Sequence, residues 1–280
     1  MNRVDSNRLK KYLIGQNIYM CKYERLQNLP LFKSISVYYN SDFSTPNPCS
    51  FCDVQVKAIH PLIIAKEFIK QGLNPVILTT VNSEFNGCNI EASEGMYDDI
   101  LNLRTNFHRT ISPGLYPLKG PCVVYAPCVT VIRDENLTIN PTEMYRVGVI
   151  VACPLNEPKL EKESLNLNDY YITKEILEIV FQSSISSNHN VLILTDFGCK
   201  TNKNPLKDIV DIFNLHIMNY GHMFKYIVFA FQINENTDLM YYTYYSKEII
   251  KPQELVHIED AIDPHINLSI LTNLLANNSS

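Results

Sequence analysis

The sequence predicts an α/β fold in three layers, α/β/α, built on a mixed, largely parallel sheet with helices on both faces. Three observations carry that expectation. Short runs rich in β-branched residues alternate along the chain with longer segments of helical periodicity. Several of these runs, among them "NPVILTTV" (74–81), "RVGVIVACP" (146–154) and "NVLILTD" (190–196), are apolar throughout, the pattern of strands buried on both faces. At 280 residues, 46% hydrophobic and 19% charged, the chain has material for one large domain of this kind.

Taken in order, "RLKKYLIGQNIYMCKYERL" (8–26) reads as an opening helix and "SISVYY" (34–39) as a strand. The helix "PLIIAKEFIKQG" (61–72) stops at Gly72 and hands over to the strand 74–81. After a loop, a helix from about Ser93 to Arg109 carries Met96, Ile100, Leu103 and Phe107 at i, i+4, i+7 and i+11, one apolar face. "CVVYAP" (122–127) and "VTVIRD" (129–134) are strand pieces, followed by the strand 146–154. A helix over about 170–185, the strand 190–196, a helix over about 205–219 and the strand "KYIVFAFQ" (225–232) complete the pattern. Residues 1–60 are expected to elaborate the same domain, 61–250 to form its core, and 251–280 to be a tail with a short helix.

A net charge of −5 argues against a general nucleic-acid or anionic-membrane binder, which needs a basic face. The charged start "MNRVDSNRLKKYL" lacks a signal peptide's apolar stretch, and no apolar segment approaches the roughly 20 residues needed to span a bilayer. A soluble, intracellular protein is expected. Its eight cysteines sit largely in apolar runs and read as buried thiols in a reducing compartment. "NPCSFC" (47–52), followed by His60, is the only CxxC, and without a second pair of ligands it predicts no metal site.

Ligands of such sheets bind beyond the carboxyl ends of the strands, which directs attention to the loops after 81, 134, 154 and 196. In "NVLILTDFGCKTNKNPLKDIVDIF" a buried strand, Gly198, a polar stretch and a helix start near Asn204-Pro205 would present backbone N–H groups to an anion. Lys200, Thr201 and Asn202 add donors; an ordinary strand-to-helix connection is the alternative. In "GMYDDILNLRTNF" (95–107), Asp98 and Asp99 stand in a first helical turn, about 100° apart around the axis. At a helix tip both can reach one ligand. They can equally be solvated acids placed there by the helix dipole, whose field favours the ionised form and opposes a general-acid role unless desolvation wins.

As an ordered set, these segments resemble the microbial-type poly(ADP-ribose) glycohydrolases, whose catalytic domain is a macrodomain. "VILTTVNSEFNGCN" takes the place of that family's strand and triple-glycine loop, and "YDDILNLRTNF" aligns without a gap on its Gln-Glu-Glu helix. "VVYAPCVTVIRDE" is similar to its "YSP-V-V-FRD" segment, "VGVIVACP" to its strand ending in Ala-Ala-Pro-Asn, and "LILTDFGCKTNKNP" to "LGAFGCGVFRNP". "YIVFAFQ" is similar to its last core strand, and the order holds from about residue 61 to 232. Gln-Glu-Glu becomes Tyr97-Asp98-Asp99, the three glycines become Gly87, Cys88 and Asn89, and the second glycine loop keeps Gly198-Cys199 before Lys200 and Asn202.

The resemblance implies a macrodomain-like fold and ADP-ribose or ADP-ribosylated protein as partner, with no cofactor, no direct nucleic-acid or membrane binding, and a monomeric state. It further implies Asp99 as general acid and Asp98 as holder of the ribose. Gly198, Cys199, Lys200, Thr201 and Asn202 would cradle the diphosphate. Gly87, Cys88 and Asn89 would lie against the distal ribose, and Asn82 and Tyr97 complete the ligand-binding residues. Aspartate is one methylene shorter than glutamate, and misplacement on the order of 1 Å can cost about a hundredfold in rate. Two alternatives therefore stand beside the enzyme: a catalytically inactive binder of ADP-ribose or a related nucleotide, and a scaffold with a closed site.

Overall fold

The structure, a computed structural model, describes residues 12–17, 19–21, 33–40, 43, 52–81, 97–111, 113–232 and 236–250; for 97–100, 113, 236 and 237 the description is of the backbone. Seven strands form one sheet: β1 (Ile35–Tyr38), β2 (Asp53–Lys57), β3 (Pro75–Thr80), β4 (Cys122–Val131), β5 (Tyr145–Ala152), β8 (Val191–Leu194) and β9 (Tyr226–Ala230). A small hairpin pairs β6 (Leu160–Glu161) with β7 (Ser164–Leu165). The strand order is β1-β4-β5-β3-β8-β9-β2. The pairs from β5 through β3, β8 and β9 to β2 are parallel, while β4 runs antiparallel to β5 and β1 antiparallel to β4.

Helices α1 (Pro61–Lys70), α2 (Tyr97–Arg104) and α3 (Phe107–Thr110) cover one face; α4 (Leu167–Ser186), α5 (Leu206–Tyr220) and α6 (Asn236–Glu248) cover the other. Successive strand residues point to opposite faces. Leu78, Ile150 and Leu192 accordingly join Ile176, Phe213 and Tyr245 in one core, while Ile77, Val149 and Ile193 join Leu62, Phe68 and Leu101 in the other. That double burial is why β3, β5 and β8 are apolar without alternation. This is the expected three-layer α/β/α fold with a mixed, largely parallel sheet. Among the described residues no helix is long and apolar enough to cross a membrane.

Several elements differ from the sequence expectation. The pieces 122–127 and 129–134 are one strand, β4, with a bulge between Ala126 and Val129 where Pro127 has no N–H to donate. Both edges of the sheet, β1 and β2, come from before residue 61, and β2, "DVQVK", was not legible because its polar positions leave it only partly buried. The helix expected over 93–109 breaks after Arg104. Thr105 pairs with Val131 as a β-bridge, and Asn106 exchanges bonds with Thr130, its N–H to the Thr130 carbonyl at 3.1 Å and its Oδ1 to the Thr130 N–H at 2.8 Å. Leu101, outside the expected stripe, packs with Phe107 in the core. Helix α6 was not anticipated. Part of the opening helix, the CxxC segment before Cys52, and the tail lie outside the described residues.

Candidate functional site

The carboxyl ends of β5, β3 and β8 lie side by side, with β3 in the middle. Three segments leave this edge: the chain after Val81, the turn Cys153–Glu157 and the loop Thr195–Asn204. Of the predicted residues, Asn82, Gly87, Cys88 and Asn89 lie outside the described residues. Tyr97, Asp98 and Asp99 are the first three residues of α2, and their side chains lie outside the description. One turn later, Leu101 borders a void of about 10 Å³ together with Thr79 and Thr195, so the beginning of α2 stands at the ends of β3 and β8. The far end of α2 is firmly held. Asn17 Nδ2 donates to the carbonyls of Asn102 (3.1 Å) and Leu103 (2.8 Å), and the Ile132 and Arg133 N–H groups donate to that of Arg104 (2.7 and 3.0 Å). These bonds satisfy carbonyls that a helix end leaves unpaired, giving the acidic pair a rigid base.

The loop after β8 is compact and largely buried. Phe197, at φ 47°, drives its ring into the core, and Gly198 follows at φ 75°. A Cβ on Gly198 would stand 2.8 Å from Pro154 Cγ, so only glycine fits where this loop meets the turn after β5. The amides of Cys199 and Lys200 are spent on the carbonyl (3.2 Å) and the carboxylate (2.8 Å) of Asp196; those of Asn202 and Asn204 go to the Gly198 carbonyl (2.9 and 3.3 Å). The amides of Phe197, Gly198 and Thr201 have no partner among the described residues. Such uncommitted N–H groups at a strand-to-helix connection suit an anion.

The side chains do less than the sequence suggested. Cys199 turns into the core, where burial pushes its thiol pKa well up, and it serves the loop through its backbone. Asn202 bonds Asn156 Oδ1 at 3.2 Å and accepts from Thr201 Oγ1 at 2.8 Å, bracing the loop against the turn after β5. Asn204 does not cap α5: its Nδ2 donates to the Leu155 carbonyl at 2.7 Å, and the N-cap position belongs to Pro205, which has no side-chain cap bond. Proline thus stands just before the first helical residue, Leu206, rather than on it. His60 is a helix cap, its Nδ1 accepting from Leu62 N at 3.1 Å.

Helix α6 supplies a support that sequence reasoning missed. Asp238, Tyr241 and Tyr245 lie at i, i+3 and i+7, one helical face, and each grips the loop. Lys200 Nζ bonds Asp238 Oδ1 at 2.6 Å, Tyr241 Oη donates to the Cys199 carbonyl at 3.3 Å, and Tyr245 Oη to the Asp196 carbonyl at 3.3 Å. The "NTDLMYYTYYS" spacing held that signal. Beneath the loop, burial raises the pKa of Asp196, opposed by the Lys200 amide bond and the Lys200 charge. A cavity of about 220 Å³ opens beside the loop, lined by Cys153, Pro154, Asn156, Ile172, Ile176 and Asn202 among others. Among the described residues no three His, Cys, Asp or Glu side chains converge as metal ligands.

A sheet of this order, with an anion-suited loop after β8 and a helix beginning near the ends of β3 and β8, is a macrodomain-like arrangement. In fold it is similar to solved bacterial poly(ADP-ribose) glycohydrolases. The enzyme from Thermomonospora curvata superposes with a TM-score of 0.73 at 12% identity, covering 86% of this chain and 100% of its own. Its complex with the inhibitor ADP-HPD gives 0.67 at 12% identity over 85% of this chain and 99% of its own. The Deinococcus radiodurans enzyme in complex with ADP-ribose gives 0.61 at 14% identity over 70% of this chain and 84% of its own. No protein-family model matches the sequence, and no curated protein is detectably similar to it.

Proposed function

We propose that this protein is a poly(ADP-ribose) glycohydrolase-like macrodomain protein that binds ADP-ribose or ADP-ribosylated protein at the carboxyl edge of β5, β3 and β8, as an intracellular monomer. The observation that carries the reading is the loop after β8. It leaves the Phe197, Gly198 and Thr201 amides unspent at the place where a diphosphate would lie, in the fold of proteins crystallised with ADP-ribose. As an enzyme, Asp98 would hold the ribose hydroxyls while Asp99, protonated, delivers its proton to the departing glycosidic oxygen. The anomeric carbon passes through an oxocarbenium-like state and water completes the hydrolysis.

A second reading, a scaffold whose site no longer takes the diphosphate, is favoured by the electrostatics. Asp196, where the family pattern has alanine, places a carboxyl under the anion loop, and the Lys200 ammonium is held by Asp238. The experiment is a calorimetric titration with ADP-ribose, with AMP and ribose 5-phosphate as controls, followed by a turnover assay on poly(ADP-ribose). Selective binding with turnover that Asp99→Asn abolishes establishes the enzyme. Selective binding without turnover leaves a binder, and no binding at millimolar ADP-ribose refutes the enzyme and favours the scaffold.

A further inference from the structure

A second cavity, about 270 Å³, lies at the other end of α2, between α1 and the connection from β4 to β5. Because β4 ends where β5 begins, this is the amino edge of the parallel strands, opposite the crevice described above. Arg104, the last residue of α2, lines it and is 7% exposed. Its Nε donates to the Arg133 carbonyl at 3.3 Å, and among the described residues the guanidinium has no other hydrogen bond and no ion pair. Burial lowers its pKa; Tyr145, then Glu135 and Asp134, oppose this electrostatically, the two carboxylates from beyond ion-pair distance.

The neighbouring charges are committed. Arg133 uses all three nitrogens, Nε on Asn17 Oδ1 (2.8 Å), Nη1 on the Leu137 carbonyl (2.7 Å) and Nη2 on Gln16 Oε1 (3.1 Å). Lys66 pairs with Glu143 at 2.7 Å, and Tyr145 Oη donates to the Leu62 carbonyl at 2.6 Å. A guanidinium this buried is ordinarily paired, because a charge taken from water without a counterion is costly. Arg104 instead has only its Nε bonded among the described residues, and it lines a space several times larger than one water needs.

We propose that this cavity binds a small zwitterion of the amino-acid type, its carboxylate on the outer nitrogens of Arg104 and its ammonium toward Glu135 and Asp134. The planar fork of arginine matches a carboxylate in a two-bond embrace. Lys66, Arg104 and Arg133 line the cavity with Asp134, Glu135 and Glu143, three charges of each sign, so a zwitterion leaves the lining balanced whereas a phosphate dianion adds uncompensated negative charge. The site is separate from the ADP-ribose reading and does not depend on it.

The test is calorimetry on the full chain with each of the common amino acids in turn, alongside propionate, which lacks the ammonium, and inorganic phosphate. The expected result is saturable binding of at least one amino acid at about 1 mM or tighter. Arg104→Gln and Arg104→Lys should each weaken it by about tenfold or more, since glutamine loses the charge and lysine the fork. Glu135 is exposed, so Glu135→Gln leaves the fold intact; it should weaken the amino acid and leave propionate unchanged. If Arg104→Gln fails to fold, the Arg104→Lys and Glu135→Gln results decide. No saturable binding up to about 10 mM, binding indifferent to both Arg104 variants, or phosphate binding more tightly than every amino acid overturns the proposal.

Discussion

Replacing Gly198 by alanine tests the geometry of the loop and its role together. Gly198 has φ 75°, where an L side chain costs about 1–2 kcal/mol. The added methyl would also stand 2.8 and 2.9 Å from Pro154 Cγ and Cβ and 3.0 Å from Asn202 Oδ1. Overpacking of that kind costs about 1–3 kcal/mol. The sum, roughly 2–5 kcal/mol, should lower the melting temperature by roughly 3–9 °C for a domain of this size. Relief of the clash must move Gly198 or Pro154. Because the Gly198 carbonyl accepts from Asn202 N, Asn204 N and Asn204 Nδ2, the amides offered to the diphosphate move with it. ADP-ribose affinity should therefore fall by at least about tenfold. Gly72 is the internal control: it has the same φ of 75°, and no atom lies within 4 Å of where its added methyl would stand. Gly72→Ala should cost only the backbone strain, about 1–2 kcal/mol, and leave binding untouched. Differential scanning calorimetry and ADP-ribose titration of the two variants give the comparison. Equal melting temperatures in the two, with unchanged affinity, would refute the reasoning.

Two further expectations concern buried titratable groups. His189 bonds Tyr125 Oη at 2.8 Å and the Asn74 carbonyl at 3.2 Å, His216 bonds the Lys174 carbonyl at 2.9 Å, and burial holds both pKa values at about 4. Between pH 6.5 and 4 the unfolded chain binds protons that the folded one refuses. Stability is thus fully present above about 6.5 and is lost as pH falls through the window, by up to about 2.7 kcal/mol per pH unit for the pair. Urea melts from pH 7 to 5 check this, and a flat stability curve contradicts it. Asp196 has the opposite sign: its raised pKa means the folded state keeps the proton longer, so its contribution is lost as pH rises above the ordinary carboxylate range. Asp196→Asn, which keeps an acceptor for Lys200 N, should raise the melting temperature at pH 7 and improve ADP-ribose binding. A lower melting temperature with weaker binding would mean that the carboxylate itself holds the loop.

The residues that were legible were those whose signal is local. Continuous apolar runs fixed β3, β5 and β8 as doubly buried strands, and with them the edge where a ligand would bind; Gly198 after β8 marked the loop that leaves it. The order of short motifs from "VILTTVNSEFNGCN" to "YIVFAFQ" pointed to the fold family before any strand was paired. What stayed hidden was decided by contacts distant in sequence. The helix after Tyr97 had no local reason to stop at Arg104; it stops because β4 captures Thr105 and Asn106. Lys200 looked like a donor to a diphosphate, yet its ammonium is held by a carboxylate 38 residues away on a helix that the sequence did not announce. Arg104 looked like any last-turn arginine, and only the fold buries it beside an open cavity without a counterion among the described residues. Periodicity and turn chemistry act within a few residues and so are written along the chain. The direction in which a long charged side chain points depends on which partner the packed layers bring within hydrogen-bond reach, and that is settled only when the sheet closes.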